Sequence, residues 1–313
     1  MSELSKKSKI FIAGHNGLVG AAILRHLISN GFSKVIVRTR AELDLTSRKD
    51  VWDFFSSKQP EYVILAAAKV GGIAANMAEP VEFLVNNLEI QNNVLLACHK
   101  FRVTKTMFLG SSCVYPRKAR QPMNESCFMS GPVESTNESY AIAKIAGIRL
   151  AQALRQQYKL NVICPMPCNV YGPGDHFEFE RSHVVSALVR RFIEAKRNEA
   201  PSVTLWGTGI ARRELLHVDD LADACLFLLH NYDSQEIINV GSGYDLTIRE
   251  LAETIARIVE YNGKLNWDTA KPDGMLQKLL DINRLDNLGW HHNIDLETGI
   301  KSVVMDFESR YPQ

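Results

Sequence analysis

Hydrophobic positions in the first two-thirds of the chain alternate between short apolar, β-branched runs and longer stretches of helical period. The runs 9–14 (KIFIAG), 34–39 (KVIVRT), 62–68 (YVILAAA), 106–112 (TMFLGSS) and 161–167 (NVICPMP) predict five strands. Segments 18–31, 49–59, 80–100 and 140–158 between them predict helices. Strands apolar on both faces, each followed by a helix, imply a parallel sheet covered on both sides. After Pro167 the rhythm breaks into loops rich in Gly, Pro and charge, around a helix at 183–197. Segments 215–230 and 237–240 read as the sheet domain resuming, and 247–261 as another helix.

Composition narrows the partners. The 313 residues carry a net charge of +1, with 46% hydrophobic and 23% charged positions, which is ordinary globular composition. Near-zero charge argues against nucleic acid or an anionic membrane as the main partner. Met1 to Lys9 is polar and lysine-rich with no apolar signal core, and no uninterrupted apolar stretch is long enough to span a bilayer. The expected location is cytoplasmic. Six cysteines form no CxxC pair, and no His cluster completes a zinc-like set, so reduced thiols and no metal site are expected.

Gly14, Gly17 and Gly20 in GHNGLVG directly follow the first strand and open the first helix, with Leu18 and Val19 between them. Glycines there let backbone amides approach a pyrophosphate at the helix N-terminus. A tight turn that only packs helix on strand is the structural alternative. The second strand ends in Arg38-Thr39-Arg40, where a carboxylate would favour NAD and an arginine pair favours a 2′-phosphate. NADP(H) is therefore the expected cofactor, unless the two arginines are simply solvated. The fold class is α/β: a Rossmann doubly wound parallel sheet with an interleaved smaller C-terminal substrate-binding domain. The expected division gives 1–168 plus about 215–240 to the NADPH-binding domain and about 169–214 plus 241–313 to the smaller one.

Tyr140 and Lys144 in SYAIAK stand at i and i+4 and share a helix face. A nearby ammonium is expected to favour the phenolate and lower the tyrosine pKa, easing proton exchange with a carbonyl or alcohol. Ser111 or Ser112, at the end of the fourth strand, can supply the second hydrogen bond to that oxygen. The C-terminal edge of a parallel sheet is where such sites belong.

These segments resemble the extended short-chain dehydrogenases/reductases, and within them the GDP-4-keto-6-deoxymannose epimerase/reductases. The matching stretches include FIAGHNGLVG, LAAAKVGGI, GSSCVYP, YAIAKIAGI, NVYGPGD, RRELLHVDD and KPDGMLQKLLD, and together cover nearly the whole chain. The resemblance implies conversion to GDP-L-fucose by epimerisation at C3 and C5 and NADPH reduction at C4. It implies Ser111, Tyr140 and Lys144 as the reductase set, Cys113 as epimerisation base and His183 as the acid on the opposite face. It adds Pro167, Asn169, Lys144 and His183 to the cofactor contacts. Asn169, Arg191, Trp206, Arg213 and Asp273 are implied to hold the GDP-sugar. A C4 ketone acidifies the protons at C3 and C5, so a two-base arrangement is chemically coherent. On residue type alone, Cys113 is a small buried hydrophobe, His183 a helix-start or packing histidine, Trp206 a core residue and each arginine a surface charge.

The chain departs from this pattern at Cys168, where the family usually has Thr, and at 174–181, a shorter and more charged loop. These differences motivate a reductase without epimerase activity, or an enzyme acting on a 4-keto-6-deoxyheptose. A non-catalytic NADPH-binding sensor is the reading from another class. The helices 80–100 and 140–158 carry apolar faces that such enzymes pair across a two-fold, implying a homodimer; packing within one subunit is the alternative.

Overall fold

The computed structural model describes residues 4–178, 182–271 and 273–312. Five short strands, β1 (Ile10–Ala13), β2 (Val35–Val37), β3 (Tyr62–Leu65), β4 (Lys105–Phe108) and β5 (Val162–Ile163), form one parallel sheet in the order β2-β1-β3-β4-β5. Helices α1 (Leu18–Ser29), α2 (Arg48–Lys58), α3 (Ile73–Ala78), α4 (Pro80–Lys100) and α5 (Glu138–Tyr158) connect them. Strands β1, β3 and β4 are buried at every position, as the continuous apolar runs require. Helix α4 begins on Pro80, whose missing N–H costs nothing in a first turn. It packs lengthwise against α5.

The run 161–167 is two strands, not one. Pairing stops at Cys164 because Pro165 has no N–H to continue the ladder. The chain resumes as β6 (Pro165–Pro167) and β7 (Asn169–Tyr171). Likewise the fourth strand ends its ladder at Phe108, and Ser112–Val114 winds into a 3-10 turn.

Beyond them lie α6 (Val184–Arg197), β8 (Ser202–Trp206), β9 (Arg212–His217), α7 (Val218–Asn231), β10 (Ile238–Val240), β11 (Asp245–Thr247), α8 (Ile248–Ile258), β12 (Lys264–Asp268), β13 (Gln277–Lys278), α9 (Asn283–Asn287) and α10 (Leu296–Arg310). Strand β10 pairs parallel with β6, and Gly110 N–H donates to the Pro165 carbonyl at 2.9 Å, continuing the layer started by β4. Strand β9 pairs with β7 and β13 in parallel and with β11 antiparallel.

Two hydrophobic clusters result. One surrounds the large sheet and takes in Leu221 and Leu228 of α7, along with Leu280, Leu285 and Trp290. The other gathers Tyr171, Phe192, Leu251, Ile255, Ile300 and Phe307. Leu215 enters the second cluster and Leu216 the first, because successive side chains of β9 point to opposite faces. The C-terminal ends of β1, β3, β4 and β6 all open toward the junction between the clusters. None of the helices of the described residues is long and apolar enough to cross a membrane.

Candidate active site

A cavity of about 760 Å³ opens at those strand ends. Its floor is the glycine turn. Gly14 has φ +94°, and a Cβ there would meet Ala67 N of the β3 segment at 2.6 Å; a Cβ on Gly20 would fall 2.1 Å from the Gly14 carbonyl. Only glycine fits either position. Gly17 begins α1 with no side-chain cap, so the first amides of that helix keep their hydrogen-bonding capacity. Leu18 and Val19 line the cavity with these glycines, and Arg38 and Arg40 line it where β2 ends. His15 adds a buried Nδ1 with no hydrogen-bond partner among the described residues. A cradle that a Cβ would fill, an uncapped helix start and two guanidinium groups suit a dinucleotide carrying a 2′-phosphate. Pro167, Asn169, Lys144 and His183 border the same cavity.

The second group of side chains stands where β4 gives way to α5. Ser111 caps the 3-10 turn, its Oγ accepting from Cys113 N–H at 3.2 Å, and both Ser111 and Ser112 reach the cavity wall. Ser111 is the member hydrogen-bonded to Tyr140. Lys144 is buried, and its Nζ donates to the Leu109 carbonyl at 2.8 Å. That ammonium lies 5.8 Å from the Tyr140 ring centroid and 4.7 Å from that of Phe108. Burial pushes the Lys144 amine down to about 8.

The expected depression of the tyrosine is not what the structure shows. Burial first, and then the Cys113 charge, push the Tyr140 phenol above its ordinary value; only the Ser111 hydrogen bond pulls it back. Tyr140 is thus held as a neutral proton donor. The i, i+4 spacing put Lys144 on the right face, but its ammonium is turned to a carbonyl instead of to the phenol oxygen.

Cys113 and His183 share this cavity. Burial raises the Cys113 thiol, yet the Lys278 ammonium, together with hydrogen bonds from Ser111, Lys278 and Asn137, brings it below its ordinary value. Lys278 Nζ lies 3.3 Å from Sγ and Asn137 Nδ2 3.1 Å. Such a setting favours thiolate. His183 precedes the first turn of α6, and its Nδ1 lies 3.0 Å from Oδ1 of Asp175. The Asp175 hydrogen bond raises the imidazole above its ordinary value, burial opposes this, and the charges of Asp175 and Cys113 reinforce it.

Sequence reasoning missed Asn137, Lys278 and Asp175 as site residues. Lys278 sits inside the quoted KPDGMLQKLLD and Asp175 inside NVYGPGD, but neither motif says which side chain meets a thiol or an imidazole. Cys168, the departure from the family pattern, borders the same cavity but is 8% exposed, its thiol pushed well above its ordinary value, first by desolvation and then by Glu214, which favours the neutral thiol. Of the loop 174–181, residues 179–181 lie outside the described residues.

The residues expected to hold a nucleotide-sugar divide. Asn169 and Arg213 line the cavity, Asn169 Nδ2 donating to the Glu214 carbonyl at 3.1 Å and Arg213 Nη1 to the Met275 carbonyl at 2.6 Å. Arg191, Trp206 and Asp273 do not line it. Arg191 donates to the Thr204 carbonyl at 2.9 Å. Trp206 is 57% exposed, with Lys271 Nζ 5.4 Å above its ring, so it is no core residue. The Asp273 carboxylate accepts from Thr208 N–H at 2.7 Å and from its hydroxyl at 2.8 Å, which shapes the turn after β8. Only its remaining lone pairs are open to a sugar hydroxyl.

The model of the NAD dependent epimerase/dehydratase family matches residues 10–241. A putative GDP-L-fucose synthase 2 of Arabidopsis thaliana is 54% identical over 300 residues, which are 96% of this chain and 92% of that protein. The GDP-L-fucose synthase of Escherichia coli K12 is 48% identical over 310 residues, 96% of this chain and 97% of its own. A crystal structure of a GDP-D-glycero-L-gluco-heptose synthase from Campylobacter jejuni in the presence of NADPH superposes with a TM-score of 0.92. It is 34% identical, and the match covers 98% of this chain and all of that one.

Proposed function

Because the chain belongs to the NAD dependent epimerase/dehydratase family, we propose that it is an NADPH-dependent epimerase/reductase that converts a GDP-4-keto-6-deoxymannose-type sugar to GDP-L-fucose. The observation that carries this reading is the pairing of two proton-transfer sets in one cavity: Ser111, Tyr140 and Lys144 on one side, Cys113 and His183 on the other. A sensor needs neither set.

The bound sugar carries its ketone at C4, so the protons at C3 and C5 are acidic. The Ser111 hydroxyl and Tyr140 phenol donate hydrogen bonds to the C4 oxygen and stabilise the enolate that forms. The Cys113 thiolate, held charged by Lys278, takes the proton from carbon. The His183 imidazolium, held charged by Asp175, returns one to the opposite face, inverting the centre. In the reduction, Tyr140 gives its proton to the C4 oxygen. The glycine turn with Arg38 and Arg40 would hold NADPH, which would supply the hydride for C4 when bound. Arg213 and Asn169 border the sugar, and Arg191, Trp206 and Asp273 stand farther out, where the GDP moiety would extend. We assign the GDP-sugar site to 169–214 plus 241–313 and the cofactor site to the remainder, although Leu280, Leu285 and Trp290 pack with the cofactor half.

The heptose alternative draws support from the Campylobacter relative. It changes the sugar tail and keeps Ser111, Tyr140 and Lys144 as the reductase set. A two-fold dimer is part of the proposal: α4 and α5 pack on each other yet leave Val81, Val85 and Ile142 exposed, apolar side chains that a second copy could cover. Sedimentation returning a monomer at micromolar protein would overturn it. Six free cysteines suit the reducing cytoplasm assigned to it.

The assay supplies GDP-4-keto-6-deoxymannose with NADPH or NADH and follows oxidation and product together. Oxidation of NADPH in preference to NADH, with a galacto-configured product, supports the proposal. A C4-reduced sugar unchanged at C3 and C5 leaves a reductase alone. No oxidation with this substrate but turnover of the heptose analogue reassigns the sugar.

A further inference from the structure

The loop that enters α6 holds a carboxylate, Asp175, that transfers no proton in the chemistry above and meets the His183 ring. Asp175 has a side chain only 1% exposed, and each of its oxygens is engaged. Oδ1 accepts from its neighbour His176 N–H at 2.8 Å and meets His183 Nδ1 at 3.0 Å; Oδ2 accepts from the Ser186 hydroxyl at 2.6 Å. The peptide that carries it is braced from the far end of the chain. Asp306 Oδ2 on α10 accepts from Gly174 N–H at 3.0 Å, and Arg310 Nη1 donates to the Asp175 carbonyl at 3.0 Å. Arg310 Nε in turn donates to Asp306 Oδ1 at 3.0 Å, and its guanidinium lies 5.5 Å from the Phe177 ring centroid. Phe177 packs edge-on against Phe307 of the same helix, with centroids 4.9 Å apart.

We propose that Asp175 is the positioning residue of His183, and that α10 holds Asp175 in place through Asp306 and Arg310. The geometry dictates the consequences. An imidazole whose Nδ1 meets a buried carboxylate carries its proton on that nitrogen, and Nε2 is left as the atom facing away from Asp175. The His183 side chain is 43% exposed and lines the cavity, so Nε2 is the atom offered to a substrate. Turning the ring over would strand a buried carboxylate without its partner. The carboxylate also favours the imidazolium, and the imidazole holds Asp175 below its ordinary value against burial. Among the described residues, the other charged groups near this pair are Cys113 across the cavity, Arg190 on α6, Asp306 and Arg310 on α10, and the exposed His176–Glu178 pair. Among the described residues, Asp175 is the charged group hydrogen-bonded to the ring. A segment at the C-terminus that touches no substrate thereby governs the acid of the epimerisation.

This inference rests on the epimerase reading for the acid role of His183, and on geometry alone for the orientation. The test is NMR of protein labelled with ¹⁵N in its histidines, with the His183 resonances assigned by their loss in His183→Gln. The wild type should show the Nδ1–H tautomer and a titration above that of an ordinary histidine. Asp175→Asn should lower that titration and mix the tautomers, and should cut the return of solvent deuterium to the sugar by roughly 10–100-fold. Its alkaline limit for that return should also move to lower pH, which loss of packing alone would not produce. An Nε2–H tautomer in the wild type overturns the proposal, and so does an unchanged His183 titration in Asp175→Asn. If that variant does not fold, Arg310→Ala carries the comparison: a shift in the same direction supports the relay, and none contradicts it. A wild type that returns no deuterium refutes the epimerase reading, while the NMR still decides the positioning of His183.

Discussion

The two proton-transfer sets occupy one cavity and solve opposite electrostatic problems. At Tyr140 and Lys144, burial wins: the phenol moves up and the amine down to about 8, so both groups are shifted toward neutrality. At Cys113 and His183, charged partners win: Lys278 brings the thiol down against burial and Asp175 brings the imidazole up, so both are shifted toward their charged forms. Desolvation is common to all four; what differs is a dedicated counter-charge within hydrogen-bonding distance. The difference matches the chemistry. A ketone being reduced needs a neutral acid beside its oxygen, whereas inversion at carbon needs a ready base and a ready acid.

Tyr140→Phe should have the largest effect, lowering NADPH oxidation by roughly 10²–10⁴-fold while NADPH still binds. Stopped-flow measurement of oxidation beside a fluorescence titration of the cofactor checks both. Unchanged turnover would dissolve the distinction between the two sets. Lys278→Met should act on the other side: without its ammonium the Cys113 thiol rises, and alkylation by iodoacetamide at pH 7 should slow by about tenfold per pKa unit lost. Mass spectrometry of the Cys113 peptide reads this directly. An unaltered rate would mean that Asn137 and Ser111 alone hold the thiolate.

A buried carboxylate outside both sets provides the smallest effect on turnover and a control for the comparison. Glu214 on β9 accepts from Gly243 N–H at 2.8 Å and Leu280 N–H at 2.9 Å, but it forms no ion pair among the described residues, and burial raises it to about 7. Its folded pKa exceeds its unfolded one. Its stability contribution is therefore complete below about 4.5 and is lost as pH rises through about 7, on the order of 3 kcal/mol in all. Glu214→Gln should lose about 1–3 kcal/mol at pH 5, where its amide faces a backbone donor. It should also flatten the decline of stability between pH 5 and 8. Urea unfolding across that range measures both, and an unchanged slope would place the titration elsewhere.

The cofactor half was legible because its signals are local. Gly14, Gly17 and Gly20 lie within seven residues of chain, and the apolar runs of β1, β3 and β4 declare a two-sided burial that the sheet confirms. The catalytic candidates Ser111, Cys113, Tyr140, Lys144 and His183, scattered over positions 111–183 of the sequence, all line one cavity. Their electrostatics were not legible. Spacing placed Lys144 on the face of Tyr140 but could not show the Leu109 carbonyl that takes its ammonium. Lys278 reaches Cys113 across 165 residues of chain, and Arg310 reaches Asp175 across 135, separations over which no periodicity carries information. Strand β9 looked like a return to the large sheet because its apolar residues are continuous; they are continuous because it separates two cores.

The central claim is that both sets act on one sugar, and incorporation of solvent deuterium tests it most directly. The enzyme is given GDP-4-keto-6-deoxymannose and NADPH in D₂O, and the product sugar is read by NMR. Deuterium at C3 and C5 of a galacto-configured product is the predicted result, lost when Cys113 is replaced by Ala. NADPH consumption with protium retained at both carbons would contradict it, leaving Cys113 and His183 as binding or packing residues in a simple C4 reductase.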